Sequence, residues 1–328
     1  MTAALAIAVA VGLVLAGIAA SAWVFVGWLG AWRLNRPPSS RPEANFTFTP
    51  WELGVEFEAV AFDTADGITL RGWFLPRPSS RRTVIAMHGY RGNKAQILGI
   101  SSHLWRAGFN VLLFDFRGRG ESDRAPISMG LWETADLAAA LDAVSARVPD
   151  ASVGLLGYSM GGAVALLGGE DPRVAAIVVD SVYPSQRAVM EHVAASDARR
   201  VFGGWLDGRL FLPAVEWWHH RFGKPPFDAI EPVAALTKLQ NVPLLFISGT
   251  GDSVVPPMQA ERLIVAAPEP HEAWLVNGAH HCGAYFVDRH VYCARVAAFF
   301  NRHLARQGPT PVHSEVTAGR AGLGEHRR

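Results

Sequence analysis

Residues 154–163 have the sequence GLLGYSMGGA, in which the pattern G-x-S-x-G surrounds Ser159. The segment 152–157 before the serine is apolar and of strand length, and a segment of helical length follows it. A sharp turn from strand to helix lifts a serine hydroxyl clear of a sheet, and it requires small residues at the positions of Gly157 and Gly161. This stretch therefore predicts an α/β architecture in which Ser159 is a nucleophile.

Short apolar segments recur on both sides of this turn. They lie at 83–87, 109–116, 152–157, 174–179, 242–248 and 272–276, and segments of helical length separate most of them. Strands that are apolar on both faces and alternate with helices indicate a mostly parallel sheet with helices on both faces. Two further segments, 56–63 and 69–76, flank the turn-forming Ala65-Asp66-Gly67 and predict an N-terminal hairpin.

A serine hydroxyl is a weak nucleophile, so Ser159 requires a histidine base that a carboxylate orients. Asp252 follows the apolar segment 242–248, and His281 follows the segment 272–276. Loops after parallel strands converge on one edge of the sheet, so we expect both side chains to lie near Ser159. Proteins with this kind of serine turn usually have the nucleophile, the acid and the base in the order Ser, Asp, His along the chain, as here.

Acyl transfer also needs backbone N–H groups that stabilise the developing oxyanion. One donor is expected from the residue after the nucleophile, Met160, and a second from the loop after an earlier strand. The sequence HGYRG at 88–92 follows the predicted strand 83–87, and its glycines allow the backbone to approach a substrate closely. We therefore predict an oxyanion hole formed by the N–H groups of Tyr90 and Met160.

The N-terminal segment is apolar enough to cross a membrane. No charged residue occurs between Thr2 and Trp32, and about 20 apolar residues suffice to cross the hydrocarbon core. Tryptophans and then arginines collect at its C-terminal end, as at a membrane interface. They are Trp23, Trp28, Trp32, Arg33, Arg36 and Arg41. We predict a single-pass anchor in the cell membrane through residues 3–32, with the catalytic domain on the cytoplasmic side.

A cleaved signal peptide is the alternative interpretation of this segment. No Lys or Arg precedes the apolar stretch, and the stretch is longer than a signal peptide needs, so the anchor is favoured. The linker after it contains Pro37, Pro38, Ser39, Ser40 and Pro42. We expect this linker to separate the anchor from the fold, so that a chain without residues 1–36 would keep activity on short esters.

The segment 186–240 is too long for a simple connection between strands, and it is rich in aromatic residues. These are Phe202, Trp205, Phe211, Trp217, Trp218, Phe222 and Phe227. We predict that it forms a helical cap, and some of its aromatic residues should line an acyl pocket if the cap covers Ser159. The stretch from Gln307 onward is rich in Gly, Pro, Thr and Arg and is predicted to be disordered.

Composition excludes several function classes. The 30 Lys+Arg residues against 29 Asp+Glu give a formal net charge of +1, which creates no field that would hold a nucleic acid. The two cysteines, Cys282 and Cys293, have no spacing typical of a zinc site, and His219-His220 has no partner at metal-ligand spacing. We expect no metal, no cofactor and no nucleic-acid partner.

Five motifs, in this order along the chain, carry a resemblance to a known family. They are HGYRGNK at 88–94, DFRGRGES at 115–122, GYSMGG at 157–162, ISGTGDSVVP at 247–256 and NGAHHCGAY at 277–285. The sequence resembles the α/β-hydrolase superfamily, and within it the membrane-anchored group related to Bem46 proteins and to serine aminopeptidase-like hydrolases. In that family a variable residue stands where His280 stands here. The resemblance therefore implies that His281 is the base, although two adjacent histidines leave the assignment open by one position.

The resemblance implies an α/β-hydrolase fold with a helical cap insertion, preceded by one transmembrane helix. The predicted divisions are an anchor at 1–33, a linker at 34–50, a hydrolase domain at 51–306 with its cap at 186–240, and a tail at 307–328. The predicted activity is hydrolysis of carboxylic esters or thioesters, with a small or lipid-like substrate that has an apolar acyl part, through an acyl-enzyme on Ser159.

Two alternatives remain open. A peptidase of the serine aminopeptidase kind would need an acid in the cap to bind a substrate amine, and the cap contains Glu191, Asp197, Asp207 and Glu216. A catalytically silent hydrolase-fold protein that serves as a membrane binding module is the other alternative, and a complete set of Ser, His and Asp argues against it.

Overall fold

The structure is a computed structural model that describes residues 3–35 and 48–304. The predicted tail, 307–328, lies outside the described residues, as does most of the predicted linker.

The strands of the described part form one eight-stranded sheet in the order β1-β2-β4-β3-β5-β6-β7-β8. The strand bounds are β1 Glu58–Asp63, β2 Thr69–Leu75, β3 Arg82–Met87, β4 Asn110–Phe114, β5 Ser152–Tyr158, β6 Val174–Asp180, β7 Leu244–Gly249 and β8 His271–Val276. The first two strands form the predicted hairpin and β2 pairs with β4 antiparallel, whereas every other pairing is parallel. The mostly parallel sheet predicted from the apolar segments is therefore confirmed.

Helices cover both faces of the sheet, as predicted. Their bounds are α1 Ala3–Asn35, α2 Leu98–Arg106, α3 Glu133–Arg147, α4 Met160–Gly168, α5 Gln186–Phe202, α6 Leu212–Arg221, α7 Pro232–Ala235, α8 Pro257–Ala266, α9 Ala284–Val287 and α10 Arg289–His303. Within residues 3–35 and 48–304, 3₁₀ helices lie at Pro50–Leu53, Lys94–Ile97, Gly208–Phe211, Phe227–Ala229 and Leu236–Lys238. Helices α3, α4 and α8 pack on one face, and α2 and α10 pack on the other.

Alternating side chains of the central strands feed the two cores. In β3, Ile85 and Met87 are buried on the α3 side and Val84 and Ala86 on the α10 side. Because a strand points successive side chains to opposite faces, a strand with helices on both sides must be apolar at every position. This requirement explains the continuous apolar segments of the sequence.

The predicted cap consists of α5, α6, α7 and the 3₁₀ helices between β6 and β7. Ser185 begins α5, and its hydroxyl accepts the N–H of Ala188 at 3.1 Å. Gly203 ends α5 with a φ of +65°, a conformation that costs glycine little. The cap is thus a set of helices inserted between two neighbouring strands of the sheet, and its last part packs against α4 with Ile230 and Leu236 in the core.

Helix α1 is long and apolar enough to cross a membrane, by length and composition. Its C-terminal part packs against α6 of the cap, and Leu34 packs against the core. A Cβ atom on Gly27 would lie only 2.4 Å from the Cβ of Ala214, and Ala31 is completely buried. Helix α1 includes Leu34 and Asn35, so it continues two residues beyond the predicted end of the anchor, and its C-terminal part is docked on the cap rather than held apart from it. The effect of removing residues 1–36 stays a prediction.

Candidate active site

Ser159 occupies the turn between β5 and α4. Its φ is +50° and its ψ is −111°, a conformation that residues other than glycine rarely adopt. The N–H of Ser159 donates to the carbonyl of Asp180 at 2.8 Å, which ties the turn to the neighbouring strand. A Cβ atom on Gly157 would lie 2.3 Å from the carbonyl oxygen of Gly161. The turn therefore has no room for larger residues, as the G-x-S-x-G pattern predicts.

The loops after β7 and β8 bring Asp252 and His281 to this turn. His281 Nδ1 lies 2.8 Å from Asp252 Oδ2, and His281 Nε2 lies 3.0 Å from Ser159 Oγ. Asp252 Oδ1 accepts the N–H groups of Val254 and Val255, each at 2.8 Å. With a carboxylate on its Nδ1 side, the imidazole carries its proton on Nδ1 and presents a free Nε2 lone pair to the serine hydroxyl.

The neighbouring histidine lies elsewhere. His280 Nδ1 is 3.1 Å from the carbonyl oxygen of Gly251, and its side chain is exposed. Of the two adjacent histidines, the structure thus brings only His281 to Ser159 Oγ.

The loop after β3 lies directly over the serine turn. A Cβ atom on Gly89 would lie 3.6 Å from Ser159 Cβ. His88 is completely buried, its Nδ1 lies 2.8 Å from the carbonyl of Gly89, and its Nε2 accepts the N–H of Phe116 at 3.1 Å. Burial lowers the pKa of His88, so the ring is neutral and fixes the loop rather than transferring protons.

The predicted oxyanion donors belong to this arrangement. Tyr90 follows Gly89 in the loop, and Met160 is the first residue of α4, where a backbone N–H has no partner within the helix. Gly89 and Ser159 are the two residues through which the loop approaches the turn, and Tyr90 and Met160 are the residues that follow them in sequence. That their N–H groups form an oxyanion hole between the loop and the turn stays a prediction.

The side chains of the same loop contact the C-terminal end of α1. The hydroxyl of Tyr90 donates to the carbonyl of Leu34, and the guanidinium of Arg91 donates to the carbonyl of Arg33. The last carbonyls of a helix have no partner within the helix, so these contacts cap α1. Sequence reasoning missed this link between the N-terminal helix and the loop 88–94, which contains the predicted oxyanion donor Tyr90 and is called the oxyanion loop below.

A buried ion pair holds the far end of the loop. Lys94 Nζ lies 2.7 Å from Asp115 Oδ2, and the backbone N–H of Lys94 donates to Asp115 Oδ1 at 2.7 Å. Both side chains are almost fully buried. The DFRGRGES segment therefore acts on the site by positioning the 88–94 loop.

A second carboxylate that sequence reasoning missed lies behind the serine and the histidine. Asp180 is completely buried and accepts the hydroxyls of Ser181 at 2.9 Å and Tyr292 at 3.0 Å. Ser181 also accepts the N–H of Cys282, the residue after His281, at 2.9 Å. Burial raises the pKa of Asp180 to about 6. The position of Asp180 at the carboxyl end of β6 is the sequence signal that could have identified it.

A cavity of about 980 Å³ opens beside Ser159 and His281. Apolar side chains of the cap form one part of its wall, among them Val189, Met190, Val193, Leu212 and Val215. Gly30, Arg33 and Leu34 of α1 complete the wall. Cavities of about 300 to 1,000 Å³ with apolar walls and a few polar groups are typical of small-molecule sites.

Other reactive groups near the cavity do not form a second centre. Cys282 borders the cavity, but burial raises the pKa of its thiol well above the usual value. Within residues 3–35 and 48–304, no group of three or more His, Cys, Asp or Glu side chains could hold a metal ion.

Comparison with known proteins adds three similarities. Residues 82–215 match the sequence model of the α/β-hydrolase fold family. The uncharacterized protein YfhR of Escherichia coli O157:H7 is 30% identical over 251 residues, which cover 74% of this chain and 77% of that protein. Protein bem46 of Schizosaccharomyces pombe is 28% identical over 219 residues, which cover 64% of this chain and 66% of that protein.

A solved structure agrees with this similarity in fold. The Pyrococcus furiosus esterase Pf2001 superimposes with a TM-score of 0.65 at 24% identity. The superposition covers 82% of this chain and 98% of the esterase chain.

Proposed function

Because the chain belongs to the α/β-hydrolase superfamily, we propose that it is a serine hydrolase that cleaves carboxylic esters or thioesters with an apolar acyl part. The observation that carries the proposal is the continuous chain of contacts from Asp252 through His281 to Ser159 Oγ, at 2.8 and 3.0 Å. This geometry matches the roles of acid, base and nucleophile in acyl transfer.

The proposed reaction begins when His281 Nε2 takes the proton of Ser159 as Oγ attacks the substrate carbonyl carbon. The N–H groups of Tyr90 and Met160 stabilise the oxyanion, and His281 then gives the proton to the leaving alcohol or thiol. Water attacks the acyl-enzyme, His281 takes the proton of the water, and Ser159 recovers it as the acid leaves. Asp252 orients the imidazole and stabilises its charged form throughout.

The substrate class follows from the walls of the cavity. The cap contributes Val189, Met190, Val193 and Leu212 beside Ser159, and each of these side chains favours a hydrocarbon over a polar group. A thioester and an oxygen ester place the same acyl group at the nucleophile, so this wall supports both. The similarity to the Pyrococcus furiosus esterase supports the fold on which this chemistry takes place.

The test is covalent labelling by a fluorophosphonate probe, followed by turnover of p-nitrophenyl esters from acetate to palmitate. We expect Ser159 to be labelled and the Ser159→Ala variant to lose both labelling and turnover while it stays folded, because its side chain does not belong to the core. Turnover by Ser159→Ala near that of the wild type would refute the proposal.

A peptidase activity has weaker support. Of the four cap acids, Asp197 borders the cavity, and it lies 3.5 Å from Arg200 with its side chain largely exposed. Glu216 is bound to Arg187 at 2.9 Å, and Asp207 is bound to Arg209 at 2.7 Å. An amine subsite would thus depend on Asp197 alone, and aminoacyl p-nitroanilides are the substrates that would reveal it. A catalytically silent membrane binding module would leave Ser159 unlabelled by the probe.

The proposal places the protein at the cell membrane as a single-pass protein, with α1 as the anchor and the catalytic domain in the cytoplasm. Trp23, Trp28 and Trp32 lie at the end of the apolar stretch, and Arg33 follows them, which supports this orientation. Protease digestion of intact and of permeabilised spheroplasts tests it. A cytoplasmic domain is degraded only after permeabilisation.

A further inference from the structure

Helix α1 divides into two parts that have different surroundings. From Ile7 to Val26 every side chain is exposed, and contact with the rest of the protein increases from Trp23 onward. Trp23 Nε1 donates to the carbonyl of Leu210 at 2.9 Å, and Trp218 Nε1 donates to the carbonyl of Val24 at 3.2 Å. The stretch from Ile7 to Val26 therefore remains exposed to lipid, although its last turn also contacts the cap, and the helix from Gly27 onward is docked on the cap.

The docked part forms a close contact with α6, which we call the α1–α6 seam. It consists of Gly27 and Gly30 of α1 against Ala214 and Val215 of α6. A Cβ atom on Gly27 would lie 2.4 Å from the Cβ of Ala214, and one on Gly30 would lie 3.0 Å from Val215 Cγ2. Small residues allow two helix backbones to approach closely, so the seam depends on both glycines.

The lengths along α1 determine the level of the cavity relative to a bilayer. The exposed stretch from Ile7 to Val26 is about 30 Å long at a rise of about 1.5 Å per residue, which equals the thickness of the hydrocarbon core. With this stretch in the core, Gly30 and Leu34 lie about 6 and 12 Å beyond its edge. The headgroup layer is about 5 to 8 Å thick on each side. The wall that α1 contributes to the cavity therefore begins among the lipid headgroups.

The protein surface beside the α1–α6 seam, which lies at the level of the lipid headgroups, is also apolar. Exposed side chains of the cap near α1 include Leu210 and Trp217, and both belong to the segments that contact α1. A second cavity, of about 460 Å³, lies along the same two helices and is lined by Ala20, Ser21, Val24, Phe25, Trp28 and Trp218. Tryptophan favours the membrane interface, and an apolar groove beside a lipid-exposed helix suits a hydrocarbon chain.

We propose that the substrate is a membrane-resident lipid ester whose acyl chain enters the cavity from the bilayer along the α1–α6 seam, and that Gly30 and Leu34 form part of the acyl-binding wall. The proposal rests on the proposed function, since it assigns a substrate source and a specificity element to the same Ser159 site. Because the wall begins among the headgroups and lines the same cavity as Ser159, a lipid ester bond can pass from the bilayer to the nucleophile while its acyl chain remains in apolar surroundings.

The experiment uses the full-length protein in phosphatidylcholine vesicles. The probes are mono-oleoylglycerol dissolved in the vesicles and p-nitrophenyl butyrate added from water. The measured quantity is the ratio of kcat/KM for the long-chain ester to kcat/KM for the short one. A change in oxyanion alignment alters both rates together and leaves this ratio unchanged, whereas a damaged acyl wall lowers the ratio.

Two pairs of variants of α1 separate the outcomes. Gly27→Leu places a side chain in the seam, whereas its control, Gly17→Leu, has no neighbouring atom within 4 Å. We expect Gly27→Leu to lower the ratio about tenfold or more, because a displaced α1 removes apolar contacts that favour a long acyl chain over a short one. We expect Gly17→Leu to match the wild type. Gly30→Ala is a milder change with Gly12→Ala as its control, and it should lower the ratio in the same direction.

Equal ratios for Gly30→Ala, Gly12→Ala and the wild type, in proteins that the fluorophosphonate probe still labels, would overturn the acyl-wall proposal. A wild-type kcat/KM for mono-oleoylglycerol in the vesicles that is no higher than that for water-soluble monobutyroylglycerol, which has the same leaving alcohol, would overturn the proposed substrate source. Absence of both labelling and turnover in the wild type is a different result, because it would refute the proposed hydrolase function itself.

Discussion

At the residue scale, the site depends on hydrogen bonds that fix the side chains of Asp252 and His281 in one orientation each. Asp252 has one carboxylate oxygen bound to two backbone N–H groups and the other bound to His281 Nδ1. The carboxylate is therefore fixed in place, and it fixes the ring in turn. His281 Nε2 has Ser159 Oγ as its partner, so in the proposed reaction this nitrogen is the base.

The two adjacent histidines give a matched pair of variants. We expect His281→Ala to lower kcat/KM about 10³-fold or more, because only the oxyanion hole and binding then remain. His280→Ala should cost about tenfold or less, since His280 contacts the carbonyl of Gly251 and not Ser159. Ester kinetics with both folded variants decide the assignment, and a larger loss for His280→Ala would reverse it.

Asp180 links stability to pH. Burial raises its pKa to about 6, whereas the carboxyl of an unfolded chain has a pKa of about 3.9. The carboxyl of Asp180 therefore stays protonated to a higher pH in the folded state than in the unfolded state. The protonated Asp180 carboxyl contributes about 3 kcal/mol to the free energy of unfolding. This contribution is complete below about pH 4, falls as the pH rises towards 6, and is lost above pH 6.

Asp180→Asn removes this titration while it keeps the shape of the side chain. Its amide oxygen can accept one of the two hydroxyls, of Ser181 or of Tyr292, and its NH₂ group can donate to the oxygen of the other. We expect the free energy of unfolding of the variant, relative to the wild type, to rise by up to about 3 kcal/mol between pH 4 and pH 7. Urea denaturation in detergent at several pH values measures it. Parallel pH curves for the two proteins would show that Asp180 does not titrate in this range.

At the scale of elements, the serine turn is built by close contact between α4 and the end of β3. A Cβ atom on Gly161 would lie 2.4 Å from the carbonyl oxygen of Met87 and 2.8 Å from that of His88. Both neighbours are backbone atoms, which cannot rotate away as a side chain would. The turn and the oxyanion loop are thus held in one rigid unit.

Substitution of glycines on the two sides of this contact tests its rigidity. Gly161→Ala should lower the free energy of unfolding by about 1 to 3 kcal/mol, because the new methyl group forces α4 away from the end of β3. Gly89→Ala is the control, since its Cβ would lie 3.5 Å from the carbonyl of Tyr158, an ordinary contact distance. We expect a change of about 1 kcal/mol or less for Gly89→Ala. Equal denaturation midpoints for the two variants would contradict the steric argument.

At the scale of the whole molecule, the N-terminal helix is joined to the catalytic domain by more than the chain. Asn35 Nδ2 lies 3.1 Å from His219 Nδ1 of α6, and the hydroxyl of Tyr90 caps Leu34. Removal of α1 would leave these polar groups and the apolar face of α6 without partners. The helix therefore supports both the cap and the oxyanion loop.

Two truncations separate the lipid-facing part of α1 from the docked part. Deletion of residues 1–22 keeps the contacts that begin at Trp23, so we expect turnover of p-nitrophenyl butyrate in detergent close to that of the full chain. Deletion of residues 1–35 exposes the seam and frees Tyr90, so we expect a lower thermal midpoint and about tenfold or more loss of kcat/KM. Equal activity of both truncations would mean that α1 serves only as an anchor.

The sequence alone determined the strands, the serine turn and the residues that meet Ser159. Strands buried on both faces are apolar at every position, and a turn without space needs glycine, so both features are visible in local patterns such as the one around Gly157 and Gly161. The convergence of loops after parallel strands then placed Asp252 and His281 together, because this convergence follows from the topology of any such sheet.

Only the tertiary structure decided the partner of α1 and the role of Asp180. An amphipathic helix reveals its buried face through its periodicity, but α1 is apolar on all sides, so its pattern does not distinguish a lipid-facing surface from a protein-facing one. The small residues Gly27 and Gly30 were the available sign of close packing, and they do not name a partner. Asp180 acts through contacts with Ser181 and Tyr292, and Tyr292 lies far away in sequence. Contacts of this kind depend on how the layers pack and not on any local pattern.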